Sequence, residues 1–478
     1  TVFVGDPDQW NRYELSRELF NKAISLDDTP GVSDATGYKE LLNLGEEYDR
    51  THPGFYEEHL RKIKNNDTAT IIYTSGSTGV PKGAIHTHHS LFSLLNCPDF
   101  DWDGQKDVYL SFLPLAHVFA RVLNFIMVAW GISIYYFNDT KNIATAAQQV
   151  HPSVMVVVPR LLEKMYKKMT EKAESGSGLK KWIGQAAFAC ANAESPTLCQ
   201  RLMHPLFELL VYKKLRAALG GNLRVVFSGG AALNPNLYRF FLNAGFPIFE
   251  GWGLTEACPI SVNRIEEVKI GTVGPVLPGF EVTLSPEDEL LVKGEMMMKG
   301  YYKNKELTDQ IFDSAGWLKT GDKGSIDEDG YIKIQGRLKE LLKTSTGEMI
   351  APVPIEQNLI KAPFVDVAMV IGDNKKFAAC LIVPDFDYLK IMKEKSHQTH
   401  LTDDEFLKSP TMRSEMENLL RKVNTHLNRW EQIHDFRFIP RALSIDLGEM
   451  TPSLKLRRDV VEKKFSTLID SIYAEDTP

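Results

Sequence analysis

Short apolar runs alternate with longer amphipathic stretches over much of the chain. The apolar runs are residues 70–73, 154–158, 223–227 and 246–249. Amphipathic periodicity predicts helices over residues 161–173 and 197–219, the second ending at Gly220 and Gly221. Continuous apolar strands separated by helices are typical of an α/β sheet that is covered on both faces.

The pattern changes twice further along the chain. Residues 271–336 carry short alternating segments with many glycines, which predicts a small β-barrel-like or antiparallel subdomain. After Arg337, strands at residues 365–371 and 377–383 alternate with charged helical stretches, which predicts a smaller α+β domain. We therefore place an N-terminal domain at residues 1–336 and a C-terminal domain at residues 337–478.

The chain begins with a strand-like run, residues 1–6, that has no initiator methionine. We expect the numbered chain to start inside a longer product, whose first elements would complete the N-terminal domain. The most apolar stretch, residues 122–137, is interrupted by Asn124, Gly131 and Ser133. Because a membrane-spanning helix needs about 20 apolar residues, the sequence predicts neither a membrane span nor a signal peptide.

Composition narrows the choice of function. A content of 43% hydrophobic and 24% charged residues is ordinary for a folded protein and excludes a disordered chain. The net charge is −7 and the basic pairs are scattered, so nucleic-acid binding is not expected. Five cysteines without a Cys-x-x-Cys pair predict a reduced, cytoplasmic protein without a zinc site.

The strongest chemical signal is the stretch that follows the apolar run 68–73. It supplies glycine amides, hydroxyls and one lysine, groups that suit phosphate oxygens. An ordinary serine- and glycine-rich turn is the alternative, and the buried strand before it argues against that. Lys82 lies between Pro81 and Gly83, which does not fit a Walker P-loop. The candidate residues are Thr74, Ser75, Gly76, Ser77, Thr78, Gly79 and Lys82.

Other stretches carry weaker signals. Residues 251–256 begin like a dinucleotide fingerprint, but Glu256 replaces the third glycine, so a Rossmann site is not predicted. The small residues 228–231 would let an aromatic base lie on the backbone, or would form a plain strand-to-helix turn. His117 is either a guide for a carboxylate or a core histidine. The histidines at 86–89 lack acidic or thiol partners nearby and are not predicted to bind a metal.

Taken together, these stretches resemble the adenylate-forming, or AMP-binding, acyl-CoA synthetase superfamily. Residues 73–83 resemble its phosphate-loop signature, and further matches follow in the family's order over nearly the whole chain. The amino-acid sequences of residues 113–117 and 159–163 are most similar to those of the long-chain fatty acid branch. The further matching stretches are residues 113–121, 228–231, 251–256, 316–322, 336–343 and 450–455.

The resemblance implies a role for each candidate. The loop hydroxyls and Lys82 would hold the β and γ phosphates of ATP, while Thr74 and Glu256 would hold Mg²⁺. Asp322 and Arg337 would contact the ribose or a phosphate, and Lys455 would neutralise charge at the α-phosphate during adenylation. The remaining nucleotide residues would be Gly229, Gly230, Gly251, Trp252 and Thr255.

The resemblance also implies a second half-reaction. Lys339 occupies the family's hinge position, about which the C-terminal domain would rotate to bring a thioester-forming surface to the site. Lys343 and Gly347 fall where that surface, which would receive CoA, is expected. Considered alone, Lys455 would be a solvated lysine at a helix start, and Asp322 and Arg337 a turn acid and a surface arginine.

The resulting hypothesis is an ATP- and Mg²⁺-dependent ligase that converts a long-chain fatty acid to acyl-AMP and then to acyl-CoA. An acyl-AMP ligase or an acyl-carrier-loading ligase is the alternative within the class, and a catalytically silent nucleotide-binding scaffold is the alternative outside it. A fatty acid partitions into bilayers, so peripheral contact with the cytoplasmic face of a membrane is compatible with this hypothesis. The acyl chain length and the oligomeric state, a homodimer included, stay open.

Overall fold

The structure, a computed structural model, describes residues 1–5, 7–26, 35–75, 81–96, 100–139, 142–174, 177–264, 267–451 and 455–474. The chain forms two compact units, Thr1–Asp67 and Thr68–Pro478. Among the described residues, no helix combines the length and the apolar character needed to cross a bilayer.

The first unit contains a three-stranded parallel sheet. Its strands are β1 (Val2–Val4), β2 (Ala23–Ser25) and β3 (Ala35–Gly37), in that order. Helices α1 (Pro7–Leu15), α2 (Tyr38–Thr51) and α3 (Phe55–Lys62) and a 3₁₀ turn (Arg17–Leu19) complete it. The buried side chains of Val4, Trp10 and Tyr13 form its small core. The strand predicted at the start of the chain is therefore confirmed as β1.

A six-stranded sheet is the centre of the second unit. Its order is β11-β10-β9-β8-β6-β7, with β11 antiparallel to β10 and the other pairs parallel. The predicted strands at 154–158, 223–227 and 246–249 lie in this sheet, within a residue or two. The strands are β6 (Val108–Ser111), β7 (Ser133–Tyr136), β8 (Val154–Val157), β9 (Val225–Ser228), β10 (Ile248–Leu254) and β11 (Cys258–Val262).

Helices cover both faces of this sheet. Along β8, Val154 and Val156 point into one hydrophobic core, whereas Met155 and Val157 point into the other. This alternation is the period-2 geometry of a strand buried on both sides. The helices are α4 (His88–Phe92), α5 (Val118–Ala129), α6 (Ile143–Val150), α7 (Pro159–Glu174), α8 (Gly178–Asn192), α9 (Leu198–Phe207), α10 (Lys213–Ala217) and α11 (Pro235–Asn243), with a 3₁₀ turn at Ser93–Asn96.

The helix predicted over 197–219 is helical throughout but not regular. A π-helical segment, Glu208–Tyr212, separates α9 from α10. Pro205 lies inside α9, where it cannot donate a backbone hydrogen bond and its ring crowds the preceding turn. The helix ends close to the predicted position. Gly220 and Gly221, which follow α10, adopt φ of +89° and +79°, values that cannot continue a right-handed helix.

Two antiparallel sheets flank the central one. The predicted strand 70–73 belongs to the first, of order β14-β5-β4, formed by β4 (Thr68–Ser75), β5 (Pro81–Thr87) and β14 (Gly300–Tyr301). The β-rich stretch forms the second, an open sheet of order β12-β13-β15-β16. Its strands are β12 (Phe280–Leu284), β13 (Glu289–Gly294), β15 (Leu318–Ile326) and β16 (Ile332–Arg337), and helix α12 (Lys305–Ile311) lies between β14 and β15.

The rest of the chain is α+β. A 3₁₀ turn (Leu338–Glu340) leads into a hairpin and a three-stranded mixed sheet of order β19-β20-β21, whose hydrophobic cores use residues from Leu342 onward. The predicted fold class is confirmed, and the boundary after residue 336 stays a prediction. The elements are β17 (Leu342–Lys343), β18 (Met349–Ile350), α13 (Pro352–Leu359), β19 (Val365–Ile371), β20 (Ala378–Pro384), α14 (Phe386–Lys395), α15 (Asp403–Leu407), α16 (Pro410–Asn424), β21 (Ile433–Phe438), α17 (Arg458–Lys464) and α18 (Ser466–Ala474).

Candidate active site

A cavity of about 1340 Å³ lies where the β4–β5 hairpin, the six-stranded sheet, β15 and the C-terminal segment meet. Drug-sized ligands occupy pockets of about 300–1,000 Å³, so this cavity has room for more than one substrate. It brings together predicted residues from widely separated parts of the sequence. These are Thr74, Lys82, His117, Gly229, Gly230, Gly251, Trp252, Thr255, Glu256, Arg337, Lys339 and Lys455.

Some predicted residues are not part of this lining. Asp322 is buried and does not line the cavity itself, while Lys343 and Gly347 are exposed elsewhere. Gly347 adopts a φ of +92° in the β17–β18 turn, a conformation that favours glycine. Four phosphate-loop residues, Gly76, Ser77, Thr78 and Gly79, lie outside the described residues, as does the side chain of Ser75.

Asp322 is held by two partners on the cavity wall. The indole N–H of Trp252 donates to Oδ2 at 2.8 Å, and Arg337 Nε lies 2.9 Å from Oδ1. Burial raises the pKa of Asp322, and the neighbouring Arg337 charge opposes that rise. Arg337 also donates to the Thr320 carbonyl. Any ribose hydroxyl would therefore meet a carboxylate whose two oxygens each already accept one hydrogen bond.

The β4–β5 hairpin places two predicted phosphate ligands side by side. Thr74 and Lys82 are directly opposite each other in the antiparallel register. The Lys82 ammonium nitrogen lies 5.7 Å from the centroid of the Tyr301 ring, a cation–π distance. The hairpin thus presents a hydroxyl and a cation to the same region of the cavity.

Glu256 is positioned by the short strand β14. The Tyr301 hydroxyl donates to Glu256 Oε1 at 2.5 Å, and the backbone N–H of Met298 donates to the Glu256 carbonyl. Burial and the neighbouring Glu256 raise the pKa of Tyr301, so its hydroxyl stays a donor at neutral pH. Within the described part of the chain, no hydrogen bond reaches the second carboxylate oxygen of Glu256.

A buried histidine supports the residue before Glu256. His86 Nε2 lies 2.7 Å from the Thr255 carbonyl, and burial lowers the pKa of His86, which favours the neutral ring. On its other side, Nδ1 is 3.8 Å from Cys258 Sγ. The imidazole therefore bridges β5 to the turn between β10 and β11.

The β10–β11 turn depends on a close backbone approach. A Cβ at Gly253 would lie 2.1 Å from the Cys258 carbonyl oxygen, so another residue would displace the facing strand. The packing of these two strands is therefore enough to require the second glycine of the 251–256 stretch, and a bound phosphate is not needed to explain it. Trp252, between the two glycines, can then point at Asp322.

The other end of the cavity is apolar. His117 precedes α5 and is half-buried, and burial lowers its pKa, which favours a neutral imidazole. Beyond it the lining is made almost entirely of large hydrophobic side chains. These include Leu94, Leu95, Phe100, Trp102, Leu123, Ile126, Trp130, Phe227 and Phe249.

Lys455 enters the cavity from the C-terminal segment. Its backbone carbonyl accepts from the Thr451 N–H at 2.8 Å, and its N–H donates to Thr451 Oγ1 at 3.0 Å. With the antiparallel bridge between Met450 and Leu456, these bonds pair the two ends of a hairpin. The side chain stays accessible to water inside the cavity, although the surrounding atoms remove much of its hydration. Burial and then the Arg337 charge lower the pKa of Lys455, whereas Glu340 and Asp322 act in the opposite direction.

The base of this hairpin is fixed by a buried carboxylate. Glu449 is fully buried and lies 2.5 Å from Arg441 and 3.2 Å from Lys464. Hydrogen bonding to Arg441 is the main cause that lowers the pKa of Glu449 to about 2. The segment that carries Lys455 is therefore anchored within its own domain.

Several residues of the site were not found from the sequence. Tyr301 and Glu340 line the cavity, and the supporting roles of His86 and Glu449 were not predicted. The only local signal for Tyr301 is a glycine before an aromatic pair in a two-residue strand, which is too short to carry a pattern. Their contacts connect residues that are far apart in sequence.

A helix-covered sheet and a smaller α+β part that contributes a lysine enclose one cavity, which is the architecture of an α/β enzyme. The chain belongs to the AMP-binding enzyme family. That family's model matches residues 18–302, and the model of the AMP-binding enzyme C-terminal domain matches residues 339–477. The resemblance inferred from the sequence is thereby confirmed.

Curated relatives cover most of the chain. One is a long-chain-fatty-acid–CoA ligase, FadD15, of Mycobacterium bovis, 34% identical over 92% of this chain and 75% of the relative. Another is the peroxisomal long chain acyl-CoA synthetase 6 of Arabidopsis thaliana, 30% identical over 96% of this chain and 67% of the relative.

Solved structures share the fold at lower identity. The adenylation domain of a carboxylate reductase from Mycobacterium chelonae superposes with a TM-score of 0.73 at 20% identity, covering 99% of this chain and 73% of that chain. ATP-bound MatB from Rhodopseudomonas palustris gives a TM-score of 0.65 at 19% identity, covering 98% and 79%.

Proposed function

We propose that the protein is a long-chain fatty acid–CoA ligase that uses ATP and Mg²⁺ and forms acyl-AMP as its intermediate. One observation carries this proposal. The same cavity combines cations, Lys82, Arg337 and Lys455, with a long apolar lining beyond His117. The three cations suit a triphosphate, and the apolar lining suits an acyl chain. The names of the relatives, which are long-chain fatty acid–CoA ligases or synthetases, agree with a site for both.

The first half-reaction turns a poor electrophile into a good one. A carboxylate oxygen attacks the α-phosphorus of ATP, the bond from that phosphorus to the bridging oxygen breaks, and pyrophosphate leaves. The product is a mixed anhydride whose leaving group is AMP. Because negative charge grows on the α-phosphate in the transition state, a cation placed there accelerates this step.

Lys455 is our candidate for that cation. It lines the cavity, and the ion pairs of the buried Glu449 anchor the backbone a few residues before it. Its pKa is lowered by burial but supported by Glu340 and Asp322. Partial loss of hydration strengthens the interaction of this ammonium with a phosphate oxygen.

Thr74, Lys82 and Glu256 would hold the rest of the triphosphate and its metal. A hydroxyl and a carboxylate oxygen are hard ligands of the kind that Mg²⁺ takes together with phosphate oxygens. The free oxygen of Glu256 fits that role, since Tyr301 occupies only the other one. Bound Mg²⁺ would neutralise phosphate charge, while Lys82 contributes a second, fixed cation.

The nucleoside would lie on the wall formed by the β9 and β10 strand ends. Gly229, Gly230 and Gly251 leave room for a base to stack on the backbone. Arg337, which lines the cavity, would meet the ribose or a phosphate. Asp322 lies behind this lining, where Trp252 and Arg337 hold its carboxylate, and would meet the ribose only if the ribose reached past the lining. His117 would guide the fatty carboxylate as a neutral donor.

In the second half-reaction the CoA thiol attacks the acyl carbon and AMP leaves with the electrons of the broken bond. Lys343 and Gly347 do not face the cavity, so they would reach it only after the C-terminal domain turns about Lys339. We also propose a cytoplasmic location with peripheral membrane contact. A homodimer is a further proposal, which sedimentation of the purified protein tests.

The test is pyrophosphate release from ATP and Mg²⁺ over carboxylic acids of increasing chain length, with and without CoA. Sustained, CoA-dependent turnover that is highest on long chains is the expected result. A stoichiometric burst unaffected by CoA would instead identify an acyl-AMP or carrier-loading ligase. No release with any acid, from a folded protein that binds ATP, would identify a silent scaffold. Omission of Mg²⁺ should abolish release.

A further inference from the structure

Helices α8 and α9 expose large apolar side chains in an unusual concentration. On α9, Leu198, Leu202 and Leu206 are 75%, 74% and 44% exposed, and Leu209 of the following π-helical segment is 63% exposed. The first three recur every four residues, so they occupy one stripe of the helix. Leu179 and Trp182 of α8 are exposed as well. We call these six residues the leucine patch.

The leucine patch lies on the outside of a well-packed helix pair. α8 and α9 contact each other, and Phe207 on the opposite side of α9 is fully buried in the core. The buried Tyr212 hydroxyl donates to the Ala187 carbonyl of α8 at 2.7 Å. A capping box between Thr197 and Gln200 defines the start of α9. The exposed leucines are therefore fixed features of a stable surface.

Five exposed cations lie on the helices that carry the leucine patch or on the helix that follows them. Lys180 and Lys181 on α8, Arg201 on α9, and Lys213 and Lys214 on α10 are all exposed, and within the described part of the chain none of them has an ion-pair partner. The net charge of the whole chain is −7, so the charge of this basic rim is opposite in sign to the net charge of the protein.

Two acids near these helices in sequence are already paired, whereas Glu174, five residues before Leu179, is exposed. Glu208 binds Arg216, and Glu194 binds Arg239 at 3.0 Å. The exposed stripe of α9 itself carries no carboxylate. Exposed leucines and a tryptophan, framed by lysines, are the composition of a helix that lies in the interface of an anionic bilayer. A long-chain fatty acid partitions into bilayers, which favours a bilayer over a protein as the occupant of this surface.

We propose that the leucine patch is a membrane-docking surface for anionic bilayers, with the six apolar side chains in the interface and the five cations at the headgroups. The docking itself does not depend on catalysis. Its purpose rests on the proposed function, since a long-chain fatty acid is concentrated in the same bilayer. The patch would keep the enzyme where this substrate is.

The test is flotation of the whole protein with vesicles of phosphatidylcholine alone or with about 30% phosphatidylglycerol. We expect binding to the anionic vesicles that weakens as salt rises. Leu202→Glu/Leu206→Glu should reduce the partition coefficient at least tenfold, because burying each leucine contributes strongly to such binding. Leu284→Glu, a change at an exposed leucine of β12, should leave it unchanged. Lys180→Ala/Lys181→Ala should weaken binding to anionic vesicles severalfold.

Each outcome of this experiment either supports or overturns the proposed docking surface. Absence of vesicle binding would overturn it, as would binding that the paired Leu202 and Leu206 substitution leaves intact in a protein with unchanged circular dichroism. A dimer that this substitution converts to a monomer in sedimentation would also overturn it, by assigning the patch to a second copy of the chain. Flotation needs no turnover, so failure of docking and failure of the proposed ligase activity are separate results.

Discussion

The cavity has two walls that are held in different ways. The wall from the large N-terminal part is joined by contacts among buried groups, such as Trp252 to Asp322 and His86 to the Thr255 carbonyl. These bonds connect three different sheets. Removing one partner would leave a buried polar group unsatisfied, which costs about 1–3 kcal/mol. This wall is therefore rigid before any substrate binds.

The C-terminal wall is attached in part through partly buried polar pairs. Arg160 of α7 binds Asp366 at 2.5 Å, and Lys167, two turns further along α7, forms an ion pair with Asp385. A second attachment is Gln357, whose side chain donates to the Ala232 carbonyl at 2.6 Å while its own carbonyl accepts from Asn234. Ion pairs that water can still reach are worth about 0–1 kcal/mol each, and partly buried pairs such as these lie toward the upper end of that range.

The difference separates two tasks. Rigid contacts suit the wall that must hold a triphosphate in one geometry. Weak contacts suit a domain that must hold Lys455 at the cavity during the first half-reaction. The same contacts must then break so that the domain can rotate for the second half-reaction. The predictions below test whether the two walls can be disturbed independently.

The largest expected effect is at Lys455. We expect Lys455→Ala to slow acyl-AMP formation by about 100- to 1,000-fold, the usual scale for losing one group that stabilises transition-state charge. The measurement is single-turnover pyrophosphate release without CoA. Lys463→Ala, which removes an exposed lysine of α17, is the control. An unchanged first half-reaction would remove Lys455 from the mechanism.

The second prediction concerns the hinge. Lys339→Pro restricts the backbone of the turn Leu338–Glu340, through which the C-terminal domain would rotate. We expect acyl-AMP formation within about twofold of normal and transfer to CoA slowed at least tenfold. Lys339→Ala serves as the control for loss of the side chain. Equal loss of both steps would show that residue 339 contributes to the site and not to rotation.

The third prediction weakens the attachment of the C-terminal wall. Arg160→Gln/Lys167→Gln removes both ion pairs between α7 and the C-terminal part. Two such pairs bias the domain position by about 1 kcal/mol, so we expect adenylation to slow by about three- to tenfold while thioester formation is spared. Raising the salt concentration should produce the same change in the unsubstituted protein.

The control for this pair is Lys305→Gln, which removes an exposed ion pair with Asp309 inside α12. It should change neither half-reaction. If the double variant slowed both half-reactions equally, α7 would be a structural support of the site, and the two walls would not be independent.

The sequence predicted the rigid wall better than the movable one. Residues 251–256 are a local pattern of the rigid wall, and a buried strand before residue 74 identified the hairpin because strand burial has its own periodicity. On the movable wall, the local pattern at residues 450–455 identified Lys455 but not the contacts that attach this wall. The contact between Arg160 and Asp366 joins positions 206 apart, and neither residue has a local signal. Tyr301 was missed for the same reason, since its partner Glu256 is brought to it only by the tertiary fold.

The smallest expected effect is a pH-dependent change in stability at Glu250. This prediction tests the rigid wall alone. Its buried carboxyl accepts from the Leu233 N–H at 2.8 Å, beneath the turn that carries Gly229 and Gly230, and burial raises its pKa from 4.5 to about 8. Between these values the unfolded chain has released a proton that the folded chain keeps, so rising pH favours unfolding. The stability contribution is full below pH 4.5 and is lost as the pH rises to 8.

Glu250→Gln keeps the shape and the acceptor but cannot ionise, so its stability should not fall over this range. We therefore expect the melting temperature of the variant, relative to the unsubstituted protein, to increase from pH 5 to pH 8 and to change little above that. Glu281→Gln, at an exposed acid of β12, should give a difference that is constant with pH. A constant difference for Glu250→Gln as well would mean that this carboxylate is ionised in the folded wall. The wall beneath the nucleotide would then contain a buried charge, and its rigidity would have to come from a partner for that charge rather than from close packing around a neutral acid.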